Sequence, residues 1–475
     1  MRQGAMGLQQ EPSATTSTIA ERLALFACEV KVGDAPALVL ERVKACLIHA
    51  IMVGAAGMDA PFGMAAERAM GPGDPELRAG RSRSLITGDY HSPPIAAFIN
   101  ASLFHARAQE DTHGTFHPGI TVIPAALAAA ESKMCDGKTF MDAVLAGYEV
   151  GTALSAVLTE RTTPPFRATA VFGAVAAAAA VGKILQLSTE QMASAIAIAA
   201  ASSGGTSESF GAGTDEWRFQ PAKAAMNGFM AATLAVEGVH GSKTAIEGPA
   251  GFLECFAGID AEDLTTDLGN VWNILGVTFK PYPVCAFNQA PSLLGVQMRS
   301  EGLRAETVES ITLRMNEREA TYPGMPFDGP FQTVAQTLMS ARFAFATALV
   351  HGDITLASLQ EFETPEVMEM VGKIKLVADS GRPAKTAKAT AHLADGSVLE
   401  RAIEETDSLL SWSLRQVVAR GERMRSESNL SADQYQLLVR SINDLAAAND
   451  VREVVSAAIS AQPAESMSEL SDPVR

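Results

Sequence analysis

The sequence predicts a mainly helical protein, a large all-helical domain carrying a smaller α+β domain. Three observations predict it. Alanine and glycine are abundant while aromatic residues make up only 6% of the chain, a balance that suits closely packed helices rather than a β-sandwich. From Pro94 to Glu237 the apolar residues keep helical spacing, interrupted only at Gly/Pro breaks. Beyond Gly269 the pattern changes to two-residue alternation, and after Leu409 it returns to helix. At 475 residues the chain is also too long for one ordinary core.

The elements follow in order. Met1–Thr16 is polar and small and reads as a disordered tail. Thr18 caps a first helix over Ile19–Val30, with Glu21 completing a capping box. A second helix covers Ala35–Gly54, with Leu38, Val43, Leu47 and Ile51 inward. Breaks are expected at Gly114–Gly119, Thr162–Pro165 and Gly204–Thr214. Val171–Leu187 and Thr189–Ser202 are Ala-rich on all faces and have no polar side to turn to water, so they belong at the centre of the helical domain.

Strands are expected at Val308–Met315 (VESITLRM), Lys373–Ala378, Lys388–Leu393 and Ser397–Ile403, the last two joined by a turn at Asp395-Gly396. Helices are expected at Phe331–Gly352 and Leu356–Glu361, then at Leu410–Gly421 and Ala432–Asn449. The domain reading is therefore residues 17–269 plus 409–460 as the helical domain, 270–408 as an inserted α+β domain, and 461–475 as a polar tail.

The net charge of −17 argues against a nucleic-acid partner, which demands a basic face. An anionic substrate would need local cations to overcome that field. Five cysteines, odd in number and never in a CxxC pair, fit reduced thiols and a cytoplasmic protein. No apolar stretch is long enough to span a bilayer, so a soluble chain without a membrane partner is expected.

Three segments could carry chemistry. Asn100–Gly119 (NASLFHARAQEDTHGTFHPG) holds His105, His113 and His117, three of the eight histidines, with Glu110, Asp111 and Thr112. His113 and His117 are four apart, but Gly114 and Pro118 disfavour the helix that would aim both at a metal, so no metal ligands are assigned. A helix running out into a loop, with imidazoles available for acid–base work, is the better reading, and His105 reads as a satisfied core histidine. In Phe279–Gln289 (FKPYPVCAFNQ), Lys280 sits on a backbone stiffened by two prolines and can receive a carboxylate; Cys285 and Gln289 follow it. In Ala320–Phe331 (ATYPGMPFDGPF), Tyr322 can donate to a developing oxyanion. The glycine-rich Gly204–Gly213 fits neither dinucleotide nor P-loop spacing, so no nucleotide cofactor is expected.

Taken together, these segments resemble the MmgE/PrpD family of 2-methylcitrate dehydratases, cis-aconitate decarboxylases and iminodisuccinate epimerases. The carriers are Phe98–Gly119, Pro165–Leu185 (PFRATAVFGAVAAAAAVGKIL), Gln220–Gly228, Ile246–Phe252, Lys280–Cys285 and Tyr322–Phe331, spanning roughly residues 17 to 460. The resemblance implies a helical domain plus a lid, usually in a homodimer, with an active site between them that uses neither metal nor organic cofactor. By position, Thr112, His117, Lys280 and Tyr322 resemble the family's site residues. The chain departs from the dehydratase and decarboxylase branches at Ala108 (Asp there), Arg167 (His) and, for the decarboxylase, Cys285 (His); Arg218 stands near a common Lys.

The expected site is thus poorer in acid–base pairs and richer in guanidinium, which clamps carboxylates but holds its proton. The expected reaction is proton removal and return α to a carboxylate on a di- or tricarboxylate, in the manner of iminodisuccinate epimerase. Arg167, Arg218, Lys280, Thr112 and Gln289 bind the substrate, and His113, His117, Cys285 and Tyr322 move protons. A dehydratase- or decarboxylase-like lyase and a catalytically silent binding protein are the alternatives.

Overall fold

A computed structural model describes residues 17–156, 166–257 and 262–459. The expected tails and the break at Thr162–Pro165 lie outside these residues. The first helix, Ile19–Glu29, starts where the sequence places it, with Thr18 and Glu21 forming the reciprocal capping box. Ser188 and Gln191 do the same for Thr189–Ala201.

The Ala-rich helix Ala168–Ile184 is the axis of the helical domain. It packs against Gly119–Lys133, Gly137–Ala156, Thr189–Ala201 and Gln220–Val236. Only Lys183 among its residues escapes burial. Small side chains let the neighbours approach closely. A Cβ on Gly228 would lie 2.4 Å from the carbonyl oxygen of Ala174, so that crossing accepts nothing larger than glycine. The C-terminal helices Leu414–Met424, Ala432–Asn443 and Arg452–Ile459 return to this core, where Trp412, Val417, Leu438 and Val455 join residues from the first helices.

The α+β domain has its own core under a four-stranded sheet of order Ile374–Asp379, Val308–Asn316, Ala387–Leu393, Val398–Ile403. The first pair is parallel and the others antiparallel. Alternation decides the covered face: Ile311, Leu313 and Met315 point inward with Ala387, Ala389 and Ala391. Helices Gln289–Ser300, Ala341–His351 and Pro365–Lys373 cover that face. Gly396, at φ 84°, makes the turn expected at Asp395-Gly396.

Several expectations need correction. Leu38, expected inward, is 54% exposed on the first turn of Ala37–Ala55, whereas Val43, Leu47 and Ile51 are buried. The helix expected over Ala432–Asn449 ends at Asn443, and the one expected over Leu410–Gly421 runs from Leu414 to Met424. Phe331–Gly352 is not one helix: it breaks at Ser340, which caps Ala341–His351 by accepting a hydrogen bond from the Phe343 N–H. Leu356–Glu361 contains only a 3₁₀ turn, Ser358–Gln360. A further ladder was not legible in the sequence. Asp111–Thr112 pairs antiparallel with Thr278–Phe279, Asp111 opposite Phe279, which joins the histidine-rich segment to the chain entering the α+β domain.

Candidate active site

The two-residue ladder decides where the chemistry sits. Because Asp111 faces Phe279, Glu110 and Lys280 emerge side by side at its end, and Lys280 Nζ lies 2.8 Å from Glu110 Oε1. The ammonium also donates to the Ala108 carbonyl at 3.0 Å, and Ala108 turns the chain at φ 55°. Asp111 anchors the ladder. Its oxygens accept from the Tyr148 hydroxyl at 2.6 Å and the Gly119 N–H at 2.9 Å. Burial raises the Asp111 pKa to about 6 against those two hydrogen bonds.

Around this anchor opens a cavity of about 320 Å³ between the two hydrophobic cores. From the helical domain it is lined by His105, Glu110, His117 and Arg167; from the α+β side by Lys280, Cys285, Glu319, Tyr322 and Lys385, with Arg318. Four cations therefore face two carboxyls, a local reversal of the overall acidity.

Glu110 is the hub. One oxygen takes Lys280 and lies 3.2 Å from His117 Nδ1; the other is 3.1 Å from His105 Nδ1. Burial alone would raise its pKa, but Lys280 and the imidazoles outweigh it and hold the carboxyl well below its ordinary range. His105 is fully engaged. Arg167 Nη2 donates to its Nε2 at 2.7 Å, which makes Nδ1 the protonated nitrogen that donates to Glu110. Burial lowers its pKa to about 4.

His117 is different. Its Nδ1 is within ion-pair distance of Glu110 yet makes no aligned hydrogen bond. Burial, reinforced by Lys280, holds its pKa well below the usual histidine value, so it is a neutral imidazole with an uncommitted nitrogen.

Arg167, just before the central helix, also donates to the Trp217 carbonyl and lies over the Trp217 and Phe210 rings at 5.2 and 5.7 Å. Burial lowers its pKa to about 10, which leaves it charged at neutral pH. Among the α+β lining residues, burial raises Cys285 to about 11 and Tyr322 to about 12, so both keep their protons. Tyr322 is wedged between Phe210 and Phe287.

Of the nine residues singled out in the sequence, the cavity gathers five: His117, Arg167, Lys280, Cys285 and Tyr322. His113 is turned away because Gly114, at φ 61°, closes a tight turn in which His113 and Phe116 exchange backbone hydrogen bonds. Thr112 spends its hydroxyl on Thr278 at 2.9 Å. Arg218 donates to the Ala106 carbonyl and Asp215 and stacks 3.9 Å from the centre of Phe62. Gln289 donates to the carbonyls of Tyr282 and Val284, both at 3.1 Å, and so fixes the loop behind Lys280. These last three support the walls rather than line them.

The sequence reading gave no site role to Glu110 or Glu319. The position of Glu110 among three histidines was the available signal; nothing local distinguished Glu319. Among the described residues, no group of three or more His, Cys, Asp or Glu side chains has metal-holding geometry, and no helix is long and apolar enough to cross a membrane.

A cavity that gathers an imidazole, fixed cations and protonated groups has the make-up of an enzyme site for an anionic molecule. The comparisons agree in kind. The pattern of the MmgE/PrpD N-terminal domain matches residues 21–264 and that of the C-terminal domain residues 282–408, and the chain belongs to the MmgE/PrpD family. It is 25% identical to the cis-aconitate decarboxylase-like protein oryM of Aspergillus oryzae, over 94% of this chain and 98% of that one. Identity to the cis-aconitate decarboxylase of Aspergillus terreus is 26%, over 78% and 80% of the two chains. The human cis-aconitate decarboxylase is 27% identical over 76% of each.

Proposed function

We propose that this chain is a lyase of small polycarboxylates that removes CO₂ from a cis-aconitate-like substrate in the cavity between the two cores. The observation that carries the proposal is the Glu110 hub, which brings Lys280 and a neutral His117 together in the cavity that Arg167 also lines. Cis-aconitate decarboxylases recur among the relatives, which favours bond cleavage over the epimerisation expected from the sequence.

In this reading Arg167, Lys280 and the mouth residue Arg318 take the substrate carboxylates. Fixed cations stabilise the electron pair that collects on carbon as CO₂ departs. That carbon must then gain a proton, and the Tyr322 phenol and Cys285 thiol are protonated groups in the cavity lining. His117 is the group able to accept a proton.

One observation favours a second reading. The proton acceptor His117 and the protonated groups Cys285 and Tyr322 are separate members of one cavity lining, as removal by one group and return by another would use. That reading is epimerisation of an iminodisuccinate-like acid. A homodimer is carried with either reading and is checked by light scattering.

Carbon-13 NMR in D₂O separates the cases. With ¹³C-labelled cis-aconitate, labelled CO₂ and a deuterated unsaturated product support the lyase. Deuterium washed into iminodisuccinate, with no alkene and no CO₂, supports the epimerase. Binding with no exchange or cleavage of any acid leaves a catalytically silent protein and defeats both.

A further inference from the structure

Glu319 lies on the cavity wall, three residues before Tyr322 on the same turn, and has no place in the chemistry described so far. The short helix Glu317–Ala320 that holds it is fixed by Asn316, whose side chain accepts from the Arg318 N–H at 3.1 Å. Glu319 is 4% exposed. One oxygen accepts the backbone N–H of Lys385 at 2.7 Å; the other is buried and has no hydrogen-bond partner among the described residues.

Among the described residues, no cation lies within ion-pair distance of it. The Lys385 ammonium, which acts on Glu319 through its charge, is held by Asp407 at 2.9 and 3.0 Å. Glu110, the other carboxyl of the cavity, is by contrast committed to Lys280 and His105. A buried carboxyl without a counter-charge favours its neutral form. A neutral carboxyl tolerates a polyanion beside it, and the polyanion itself strengthens the hold on that proton.

We propose that Glu319 is the general acid of this cavity, delivering a proton to the substrate from the α+β wall. The inference rests on the lyase reading given above. As the carbon–carbon bond breaks, CO₂ leaves and its electron pair remains on carbon. That pair takes the proton from the Glu319 carboxyl to form the new C–H bond, and the resulting carboxylate regains a proton from water. No electrons are exchanged with any other partner.

The groups that set this proton are Lys385 and Asp407 across the sheet edge, Cys285 from the loop after Lys280, and Arg318 and Tyr322 from the same segment. Burial, partly offset by the Lys385 backbone and ammonium, raises the Glu319 pKa to about 7, where a carboxyl both gives and regains protons readily.

Glu319→Gln keeps the shape and the acceptor for the Lys385 N–H. The variant is expected to lose about 10²-fold or more in kcat on cis-aconitate, with KM changed by less than about threefold, and to lose the wild-type alkaline limb near neutrality. Retention of kcat, or an unchanged limb, would overturn the assignment. A second readout needs no turnover and so survives a failure of the lyase reading. Calorimetry of tricarballylate binding at neutral pH, in buffers of different ionisation enthalpy, should show proton uptake by the wild type that is reduced in Glu319→Gln. Equal uptake in both proteins would mean that Glu319 does not carry the proton.

Discussion

Lys280 Nζ sits 2.8 Å from Glu110 Oε1 although 170 residues separate them in the chain. The contact stitches the histidine-rich segment to the entry of the α+β domain, and both groups are almost completely buried. Removing one charge therefore strands the other. Glu110→Gln is expected to lower unfolding stability by about 3–5 kcal/mol in urea titrations, and a partnering Lys280→Met to recover part of that without recovering activity. Because the folded-state pKa of Glu110 is depressed, its contribution is complete above the ordinary carboxylate range and is lost as pH falls through the depressed value. The deficit of the variant should accordingly shrink in strong acid.

His117→Asn should reduce kcat by about 10²–10⁴-fold while leaving the melting temperature close to wild type, since the imidazole Nδ1 makes no hydrogen bond that the fold needs. The wild-type rate should also hold as pH falls to the usual histidine range, because the His117 pKa lies below it.

Arg167→Lys keeps the charge but not the fork that reaches His105 and the Trp217 carbonyl. Steady-state kinetics should show KM for the polycarboxylate raised about tenfold, a loss near 1.4 kcal/mol, with a smaller change in kcat. An unchanged KM would place the substrate carboxylates elsewhere.

Gly119→Ala tests the anchor beneath the site. The added Cβ would lie 2.5 Å from Asp111 Oδ1 and 2.9 Å from the Tyr148 hydroxyl. Thermal unfolding should report a loss of about 1–3 kcal/mol, and activity should fall with it as the Asp111–Thr112 ladder shifts.

Glu149 is buried and accepts the N–H groups of Asn273 and Ile274, on the path to Lys280. Burial, opposed by those two bonds, raises its pKa to about 7. In this case the folded state binds the proton more tightly than the unfolded one, so stability declines as pH rises from the ordinary carboxylate range to about 7. Melting temperature against pH should show a shallower decline across that window in Glu149→Gln.

Features written in local chemistry were legible in the sequence. The capping box at Thr18 and Glu21, the all-apolar helix around Val171–Gly182 and the alternation of Val308–Met315 each follow from neighbours a few residues apart. So did Lys280 and Tyr322, which stand beside prolines that mark rigid loops. Long-range pairing was not legible. A two-residue strand such as Asp111–Thr112 carries no periodicity, so its register with Thr278–Phe279, and with it the role of Glu110, appears only in three dimensions. Glu319 reads as a solvated charge until its burial is seen. Arg218 and Thr112 were placed in the site by their segments, but their side chains find nearer partners in the walls.

A crystal structure of the protein with tricarballylate, a saturated tricarboxylate, tests the central claim most directly. Carboxylates seated on Arg167 and Lys280, with the carbon chain against the His117 imidazole, are the expected result. Tricarballylate bound at saturating concentration outside this cavity, with Arg167 and Lys280 untouched, would contradict it.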